Sequence, residues 1–559
     1  MKVLLAYPHW IETRASLEDI AVVPMGLWYV AAVLAEHGFE VTVRNWSDKG
    51  GRPGEVADEL REMRPDVVGF SVLQANRLGA MELARLARRT LPDCAVVFGG
   101  VAATFLWDFF LRACPELDYI VRGEGEMTML ELVQALASGN PDPSAIAGLA
   151  WRSNGAPRAN PDRPRVTDLD SLPNPSHHFA FHHLSLTRGC PGRCRFCGSP
   201  AFWGSRVRFH SASYFVDQIQ AQVERGQRFF YFSDDTFTLD RDRAMEVCRL
   251  ILERGLDIEF NAISRVNLVD KELLTAMRRA GCIQISFGVE SASPEIRQRL
   301  GKNIRDTDIE RAFAMAAAVG ILARAYIIYG NPGETWEHIQ ANMDLMDRIR
   351  PLVTHFFVLA LYPGTALFDD FAAQETVDDA LWMQPVEDIK YYETDPSLPV
   401  ERVREYGRTM KDHYYAALPD YARSVELDPD PSLAPYQADF LARLGGTFEH
   451  GDYANNEAIP GKDALAADLY NQAARLYPDA TAFMGLGRVL ARYGHVGEAE
   501  KILREGLEHF PGHPDMRLGL AVTLMNQSRF DKALPVLDGH PDTSRTAPLI
   551  LACRSKLGI

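Results

Sequence analysis

The stretch SLTRGCPGRCRFCGSP, residues 185–200, places three cysteines on one short loop. Cys190, Cys194 and Cys197 have the spacing C-x3-C-x2-C and directly follow a predicted strand, Leu184–Thr187. Thiolates are soft ligands that suit iron–sulfur clusters or zinc. Three cysteines on a loop that also contains glycine and proline can hold three irons of a cubane cluster, which leaves the fourth iron open to a substrate.

Zinc is the alternative that this stretch leaves open. A structural zinc site normally has four protein ligands, and His182 and His183 are near enough in sequence to supply the fourth. The pattern downstream is not that of a small zinc module, which favours a cluster. The remaining cysteines stand singly in apolar or helical contexts, which predicts small buried side chains. They are Cys94, Cys114, Cys248, Cys282 and Cys553.

The residues after the cysteine loop alternate between short apolar runs and amphipathic stretches. Six strands are predicted, at Leu184–Thr187, Phe229–Ser233, Ile258–Ile263, Ile283–Val289, Arg324–Tyr329 and His355–Ala360. Helices are predicted between them, at Ser213–Arg225, Arg241–Arg254, Lys271–Ala280, Asp306–Val319 and Thr335–Ile349. Six strands are too few for an eight-stranded barrel, so residues 184–370 predict a partial (β/α)6 barrel. Such a barrel is open on one side, which would suit a large substrate.

The N-terminal region, residues 1–140, also alternates strands and helices. Its strands are predicted at Val3–Ala6, Val41–Arg44, Pro65–Val72, Ala95–Phe98 and Tyr119–Val121. This order predicts an α/β fold with a parallel, doubly wound sheet. Ligands of such sheets bind at the C-terminal ends of the strands, where Gly99 and Gly100 lie. Residues 141–183, rich in proline, asparagine and aspartate, predict a linker with a small hairpin around Leu149–Arg158.

The tail, residues 435–559, is helical and repetitive. Three pairs of identical residues recur after 34 positions: Gly485 and Gly519, Leu486 and Leu520, Ala499 and Ala533. A 34-residue helix–turn–helix period indicates tetratricopeptide-like repeats. Such arrays bind peptides or partner proteins, but helices that only cap the barrel fit a short tail equally well. Residues 371–434 are predicted to be a helical connector.

Charge and hydropathy exclude some classes of protein. The chain of 559 residues has a formal net charge of −16, whereas a general nucleic-acid binder needs a basic surface. No apolar run approaches the roughly 18 residues that span a bilayer. The N-terminus, MKVLLAYPHW, becomes polar too soon for a signal peptide. We therefore expect a cytoplasmic protein without nucleic-acid partners, in which clustered thiols indicate metal or redox chemistry.

The cysteine triad after the first strand of a six-fold βα series resembles the radical S-adenosylmethionine (SAM) superfamily. The resemblance implies a 4Fe-4S cluster held by Cys190, Cys194 and Cys197. In that family the open iron binds SAM, and an electron from the cluster releases a 5′-deoxyadenosyl radical. Phe196 matches the aromatic residue that the family has before the third cysteine, and it is expected near the adenine.

Other phrases extend this resemblance to the SAM contacts. YFSDDTFTLD places Asp234 and Asp235 where the family contacts the SAM amino group, although a helix N-cap fits Asp235 equally well. NAISRVN places Arg265 where a guanidinium would meet the SAM carboxylate. SFGVESAS places Glu290 as a partner of the ribose or the amine.

The N-terminal region resembles the cobalamin-binding domain of a large radical SAM subclass, through PMGLWYVAAVL, DVVGFSVLQ, VVFGGVAAT and YIVRGEGE. The resemblance implies a pocket for the nucleotide tail or the corrin, lined by Ser71, Leu73, Gly99, Gly100 and Thr104. The glycine pair lets the backbone approach a bulky ligand. The Asp-x-His-x-x-Gly signature of other cobalamin proteins is absent, so a histidine lower ligand is not expected. A domain that no longer binds cobalamin is the other interpretation.

Together these resemblances predict a cobalamin-dependent radical SAM enzyme that methylates an unactivated carbon through a 5′-deoxyadenosyl radical and methylcobalamin. They imply an electron donor, either a reductase or a flavodoxin or ferredoxin. The phrases SDDTFTLDR and GVESASPEIRQRLGKNI also resemble the anaerobic magnesium-protoporphyrin monomethyl ester cyclases, so an oxidative cyclase acting on a tetrapyrrole is the first alternative. The second alternative is that the tail binds a peptide or carrier protein that the enzyme modifies. The substrate is left open between a small molecule, a tetrapyrrole and a peptide.

Overall fold

The computed structural model describes residues 1–10, 22–139, 142–374, 377–386 and 388–559. Its strands are β1 (Lys2–Tyr7), β2 (Glu40–Asn45), β3 (Val67–Ser71), β4 (Ala95–Gly99), β5 (Tyr119–Val121), β6 (Leu149–Ser153), β7 (Ala156–Ala159), β8 (His183–Leu184), β9 (Thr187–Arg188), β10 (Arg208–Phe209), β11 (Phe229–Phe232), β12 (Glu259–Ser264), β13 (Cys282–Glu290), β14 (Leu322–Tyr329), β15 (Val353–Val358), β16 (Ala360–Leu361) and β17 (Ile389–Lys390). Its first helices are α1 (Met25–Glu36), α2 (Pro53–Met63), α3 (Arg77–Thr90), α4 (Val101–Phe105), α5 (Trp107–Ala113) and α6 (Glu126–Ala137). The helices of the middle region are α7 (Ser199–Trp203), α8 (Ala212–Glu224), α9 (Arg241–Glu253), α10 (Lys271–Arg279), α11 (Pro294–Arg299), α12 (Asp306–Ala318), α13 (Trp336–Ile349), α14 (Ala366–Gln374), α15 (Asp379–Met383) and α16 (Val400–Arg423). Those of the tail are α17 (Ala434–Glu449), α18 (Lys462–Leu476), α19 (Ala480–Arg492), α20 (Val496–His509), α21 (Pro514–Asn526), α22 (Phe530–Leu537) and α23 (Thr543–Leu557).

The N-terminal sheet has the strand order β2-β1-β3-β4-β5-β6-β7. Strands β1 to β5 are parallel, and the hairpin β6–β7 extends the sheet in antiparallel fashion. Separate apolar clusters cover its two faces, one with side chains of α1 and α6 and one with side chains of α2, α3 and α5. Both faces are therefore covered, which explains why every residue of β3 is buried. The predicted doubly wound sheet is confirmed, and the predicted hairpin belongs to it.

The second sheet has the order β15-β14-β13-β12-β11-β8, and all its pairs are parallel. Alternate residues such as Phe230, Phe260 and Phe287 are buried under the surrounding helices, because successive side chains of a strand point to opposite faces. The other face carries Tyr231 and Asn261. Strands β8 and β15 are the two edges of this sheet, so the predicted partial barrel of six strands is confirmed.

The strand predicted at Leu184–Thr187 is divided into β8 and β9. The Asp234 carboxylate accepts hydrogen bonds from the backbone N–H groups of Leu186 and Thr187, at 3.2 and 2.7 Å. These donors are therefore not available to continue the parallel ladder with β11. Instead, β9 pairs in antiparallel fashion with β10.

The region between the barrel and the tail was predicted to be helical, and it also contains a short strand. β17 pairs in antiparallel fashion with β16. The long helix α16 then packs on α13 and buries Tyr406, Met410 and Tyr414 in the barrel core. No helix in the described parts of the chain is long and apolar enough to cross a membrane.

The tail is a series of antiparallel helix pairs, as the 34-residue period predicts. Leu486 and Leu520 occupy equivalent buried positions on α19 and α21, and Ala499 and Ala533 do so on α20 and α22. The core of the barrel continues without a break into α17, α18 and α19. The later helices have a separate core of their own, centred on Leu503, Met516 and Leu524.

Helix α17 packs against the end of the barrel that is opposite to the cysteine loop. The Gln437 side chain donates to the Ala318 carbonyl oxygen at 2.9 Å, and a Cβ at Gly320 would lie 2.9 Å from the Tyr436 carbonyl oxygen. Arg278 donates to the same Tyr436 oxygen at 2.8 Å. These contacts involve the residues just before β13 and β14 begin. The first tail helices therefore close the N-terminal ends of the strands.

Candidate functional site

The three cysteines lie on the loop between β9 and α7, at the C-terminal end of the barrel strands. A Cβ at Gly192 would lie 3.3 Å from the Cys190 Sγ and 3.9 Å from the Cys194 Sγ, so both thiols surround one point of the loop. All three side chains are half-buried. Burial raises the pKa of Cys194, although Lys302 and Arg265 lower it in part, and burial raises the pKa of Cys197 to about 11. A bound cation or metal would therefore be needed to hold the thiolate forms.

A cluster and a single zinc ion require different arrangements of their ligands. Among the described residues, no three His, Cys, Asp or Glu side chains converge closely enough to hold a single metal ion. In a cluster each thiolate binds a different iron, so its ligands are spread over the loop. His183 stacks on Tyr231 at 4.4 Å between ring centroids and its Nδ1 lies 2.8 Å from the Ser233 Oγ. One ring nitrogen of His183 therefore contacts the segment at the end of β11, while its buried Nε2 has no hydrogen-bond partner among the described residues.

Neighbouring segments hold the cysteine loop on both sides. The Arg195 N–H donates to the Leu300 carbonyl oxygen at 2.9 Å, and the Leu367 N–H donates to the Arg195 carbonyl oxygen at 3.0 Å. Gly301 has a φ of +66°, and a Cβ there would lie 2.4 Å from the Arg193 carbonyl oxygen. The loop therefore rests directly on the backbone of residues 300–301.

We expect Gly301→Ala to lower the iron content of the purified protein several-fold while the protein stays folded. The new methyl group would displace the Arg193 carbonyl and with it the cysteine loop, in addition to the roughly 1–2 kcal/mol that a left-handed backbone costs a residue with a Cβ. Iron and sulfide analysis together with thermal unfolding measures both effects. Gly255→Ala is the matched control, because Gly255 has a φ of +61° and nothing within 4 Å of its Cβ position. Equal iron losses in the two variants would contradict the contact.

Asp234 and Asp235 are adjacent but have different surroundings. The buried Asp234 carboxylate accepts hydrogen bonds from the Thr187 N–H and the Thr187 hydroxyl, both at 2.7 Å, as well as from Leu186. Burial raises its pKa to about 6. Asp235 is exposed in the concave site and accepts one hydrogen bond from the Ser199 hydroxyl. Asp234 therefore stabilises the backbone just before the cysteines, whereas the exposed carboxylate of Asp235 is accessible to a ligand.

Arg265 follows β12 and reaches the cysteine loop. Its Nη1 lies 3.2 Å from the position of a Cβ at Gly192, and its Nη2 donates to the Asn303 carbonyl oxygen at 3.2 Å. The side chain is half-buried. A half-buried guanidinium beside the cysteine loop can pair with a carboxylate.

Glu290 ends β13 in a left-handed conformation, with a φ of +66°. Its carboxylate forms an ion pair with Lys302 at 2.9 Å, and both side chains are 7% exposed. A Cβ at Gly288 would lie 2.3 Å from the Glu290 Oε1 and 2.7 Å from the Lys302 Nζ, so only glycine leaves room for the pair. Sequence reasoning missed Lys302, although it lies in the phrase RLGKN, because its ion pair depends on a turn of the chain.

Phe196 is the aromatic residue of the cysteine loop. It is half-buried and packs on the apolar cluster that contains Leu300, Leu361 and Leu367. This packing holds the ring beside the loop, and its predicted position near an adenine stays a prediction.

A cavity of about 160 Å³ lies at the C-terminal ends of β1, β3, β4 and β5. Four of the five residues predicted to line a pocket here do so, namely Ser71, Leu73, Gly99 and Gly100. Thr104 is not among the residues that line the cavity. Its hydroxyl donates to the Gly100 carbonyl oxygen at 2.8 Å and accepts from the Gly123 N–H at 2.9 Å, so it connects the turn after β4 to the turn after β5.

The size and lining of this cavity fit one part of a cobalamin. An apolar cavity of about 150 Å³ can hold a small aromatic molecule such as benzene, so the residues that line this cavity would be able to hold an aromatic part of such a cofactor. Gly100 has a φ of +94°, and a Cβ there would lie 2.9 Å from the Val72 carbonyl oxygen. A side chain at position 100 would therefore collide with the backbone of Val72 beside the cavity. The residues present are compatible with cobalamin.

Two residues of the cavity come from the segment after the third cysteine. Phe202 and Trp203 lie on α7 and line the cavity beside Gly99 and Gly100. Sequence reasoning missed them, because no local signal joins a helix of the barrel to a pocket of the other sheet. The structure thus brings the cysteine loop and the cavity together.

Three family models match the chain. The model of the radical SAM superfamily matches residues 184–346, the B12 binding domain matches residues 21–133, and a tetratricopeptide repeat matches residues 490–557. A relative from Pyrococcus horikoshii, described as an uncharacterized methyltransferase, is 31% identical over 71% of this chain and 89% of its own length. The anaerobic magnesium-protoporphyrin IX monomethyl ester cyclase of Rubrivivax gelatinosus is 26% identical over 68% of this chain and 71% of its own length.

The fold is also that of a solved structure. The radical SAM methyltransferase TsrM from Kitasatospora setae, with cobalamin and a [4Fe-4S] cluster bound, superimposes with a TM-score of 0.63 at 19% identity. The match covers 85% of this chain and 99% of that one. The two chains therefore share their fold over the matched part.

Proposed function

Because the chain belongs to the radical SAM superfamily, in the branch that carries a B12-binding domain, we propose that it is a methyltransferase that transfers a methyl group from SAM to an unactivated carbon. It is a cobalamin-dependent radical SAM enzyme. The cluster supplies the electron that splits SAM, and cobalamin supplies a carrier for the methyl group. The observation that carries the proposal is the position of α7, whose Phe202 and Trp203 connect the cysteine loop to the N-terminal cavity.

We assign different residues of the chain to the cluster and to the charged groups of SAM. Cys190, Cys194 and Cys197 hold three irons. Asp235 would bind the SAM ammonium group and Arg265 the SAM carboxylate, since opposite charges attract strongly where water is excluded. Asp234 acts indirectly, because its carboxylate already accepts hydrogen bonds from Leu186 and Thr187.

The ion pair of Glu290 and Lys302 lies at the inner end of the same site. The Glu290 carboxylate would accept a hydrogen bond from the SAM ribose or amine without losing its salt bridge, because an ionised carboxylate has further acceptor positions. Lys302 keeps this buried charge neutralised. We expect the pair to orient SAM and to shield the cluster from water.

The test is the balance of products. Two SAM molecules, two electrons from a donor such as flavodoxin or ferredoxin, and one substrate C–H bond would give S-adenosylhomocysteine, methionine, 5′-deoxyadenosine and the methylated product. The hydrogen atom leaves with deoxyadenosine, and the methyl group takes its place on carbon. Anaerobic protein with analysed iron, sulfide and cobalamin should form both nucleosides in equal amounts. Deoxyadenosine without S-adenosylhomocysteine or methylated product would overturn the proposal.

An oxidative cyclase acting on a tetrapyrrole is the second candidate. The similarity to the Rubrivivax gelatinosus cyclase favours it, as do the large rings that the open barrel leaves exposed, Tyr231 and Phe357. Incubation with magnesium-protoporphyrin monomethyl ester under anaerobic conditions distinguishes the two. Loss of hydrogen and closure of a ring, without transfer of a methyl group, would support the cyclase.

We expect Gly99→Leu to abolish cobalamin binding while the iron content stays unchanged. A leucine side chain would fill much of a cavity of about 160 Å³, whereas none of the three loop cysteines lines that cavity. Gly99→Ala is the matched control, because the nearest atom to its Cβ position is 3.6 Å away. Titration with hydroxocobalamin measures the difference. Equal affinity in both variants would show that cobalamin does not use this cavity.

The proposal also gives the tail helices a role in binding a partner. Helices α20 to α23 form a core separate from the barrel, and the tetratricopeptide match covers them. Such helices suit a peptide or carrier protein as partner or substrate. A cytoplasmic location, where an electron donor is at hand, is part of this proposal.

A further inference from the structure

Arg188 connects the cysteine loop to the N-terminal sheet. It lies on β9, two positions before Cys190, and its side chain is 6% exposed. Its guanidinium donates to the Glu126 Oε1 at 2.6 Å and to the Glu124 Oε1 at 3.1 Å. Both glutamates belong to the turn between β5 and α6, and both line the cavity. One side chain therefore joins the beginning of the cysteine loop to the rim of the cavity.

A second arginine completes this contact. Arg208, on β10, donates to both oxygens of Glu124 at 2.7 and 2.9 Å and also to the Val166 carbonyl oxygen. Two guanidinium groups thus face two carboxylates, and the buried charges balance. The Glu126 Oε2 and the Arg208 Nε have no hydrogen-bond partner in the part of the chain that the structure describes. The group also includes the backbone of Val166, whose N–H donates to the Glu124 Oε2 at 2.8 Å.

Aromatic rings hold the Arg188 guanidinium in place. Its central carbon lies 4.9 Å from the centroid of the Tyr29 ring and 5.4 Å from that of Trp203. Tyr29 lies on α1, which packs on the N-terminal sheet. Trp203 lies on α7, which follows the third cysteine. A planar guanidinium between such rings has little freedom to move. Lysine would keep the charge but would lose the paired hydrogen bonds and the stacking.

The ion pairs of Arg188 are expected to fix the relative position of two segments and to contribute little to the free energy of unfolding. A buried ion pair adds little net stability, because the cost of removing both charges from water offsets their attraction. The hydrogen bonds of such a pair nevertheless require a fixed distance and orientation between the two segments that carry the charged side chains. The groups joined here are the loop that holds the cluster and the turn Gly123–Glu126 at the cavity.

We propose that Arg188 is a positioning residue that sets the separation between the cluster and the cobalamin of this enzyme. The proposal rests on the proposed function only in requiring that both cofactors bind. Arg188 itself touches neither reacting group; it acts through Glu124, Glu126 and Trp203. The geometry therefore makes Arg188 important for coupling the use of the two SAM molecules and not for loading either cofactor.

The experiment compares wild type with Arg188→Lys. Iron, sulfide and cobalamin contents are measured first, and then the electron paramagnetic relaxation of cob(II)alamin with the cluster reduced, which depends on the distance between the two spins. We expect normal contents, altered relaxation, and a ratio of S-adenosylhomocysteine to deoxyadenosine that departs from wild type by about 10-fold, since a displacement of about 1 Å can cost about 100-fold in rate. Unchanged relaxation and an unchanged ratio in the loaded variant would overturn the proposal.

Two further variants keep the test decisive. Arg254→Lys changes an arginine on the outer surface of the barrel, paired with Asp217 at 2.7 Å, and it should match wild type in every measurement. Glu126→Gln keeps the shape and an acceptor for Arg188, and it should alter relaxation in the same direction to a smaller extent. If Arg188→Lys and Glu126→Gln fold but load neither cofactor, Arg188 is only a structural support and the proposal fails. A wild type that forms no S-adenosylhomocysteine would instead refute the proposed function, and its spin relaxation would still report on Arg188.

Discussion

Replacing Cys194 with serine is expected to abolish the SAM-dependent formation of 5′-deoxyadenosine. Changes in the surroundings of a metal ligand already cost about 10–100-fold in affinity or activity, so the loss of a ligand should lower the rate by more than about 100-fold. Lys302 and Arg265 lower the pKa of Cys194 in part and so favour its thiolate. The measurement is iron and sulfide content, followed by chromatography of deoxyadenosine after reduction with dithionite.

The control for this variant is Cys248→Ala. Cys248 lies on α9 in the same barrel, fully buried in the apolar core, and burial raises the pKa of its thiol. Its loss should lower thermal stability slightly and leave the iron content and deoxyadenosine formation intact. If Cys194→Ser kept a SAM-responsive cluster, or if Cys248→Ala lost it, the assignment of the cluster to residues 190–197 would be wrong.

Removing residues 435–559 is expected to leave a protein that does not fold. Four large side chains of α17 are buried in the core that it shares with the barrel: Phe440, Leu441, Leu444 and Phe448. Each such side chain contributes about 1.5–3 kcal/mol when buried, so their sum is comparable to the typical net stability of about 5–15 kcal/mol. The cut would also leave Arg278 without Asp439, to which it is paired. Circular dichroism and the yield of monodisperse protein measure the effect.

A shorter deletion, of residues 495–559, separates the two roles that the tail can have. It removes α20 to α23 but keeps the three helices that continue the barrel core. We expect this variant to fold, to bind iron and to cleave SAM, while modification of a peptide or carrier partner is lost. A shorter variant as unstable as the longer deletion would show that the outer helices also support the barrel, whereas a folded and iron-loaded longer deletion would contradict the shared core.

Sequence patterns were sufficient for the main elements. The six strands of the βα series and the helical repeats of the 34-residue period were predicted correctly, because each depends on periodicity within one segment. Gly99 and Gly100 were expected near a ligand because they lie at the C-terminal end of a parallel strand, whereas the resemblance to the cobalamin-binding domain added Ser71 and Leu73; all four line the cavity.

Other features depend on residues that are far apart in the chain. The carboxylate of Asp234 divides a predicted strand about 50 residues earlier, and Lys302 meets Glu290 only because Gly288 leaves space.

The sequence by itself therefore indicated a metal cluster through the spacing of three cysteines on one loop, and its resemblance to the radical SAM superfamily supplied the class of chemistry. Only the tertiary structure decided how the two cofactor sites are joined, through Arg188, Trp203 and the glutamates after β5. The physical reason is that buried ion pairs and shared walls arise from chain segments that meet in space, and periodicity within a segment carries no information about them.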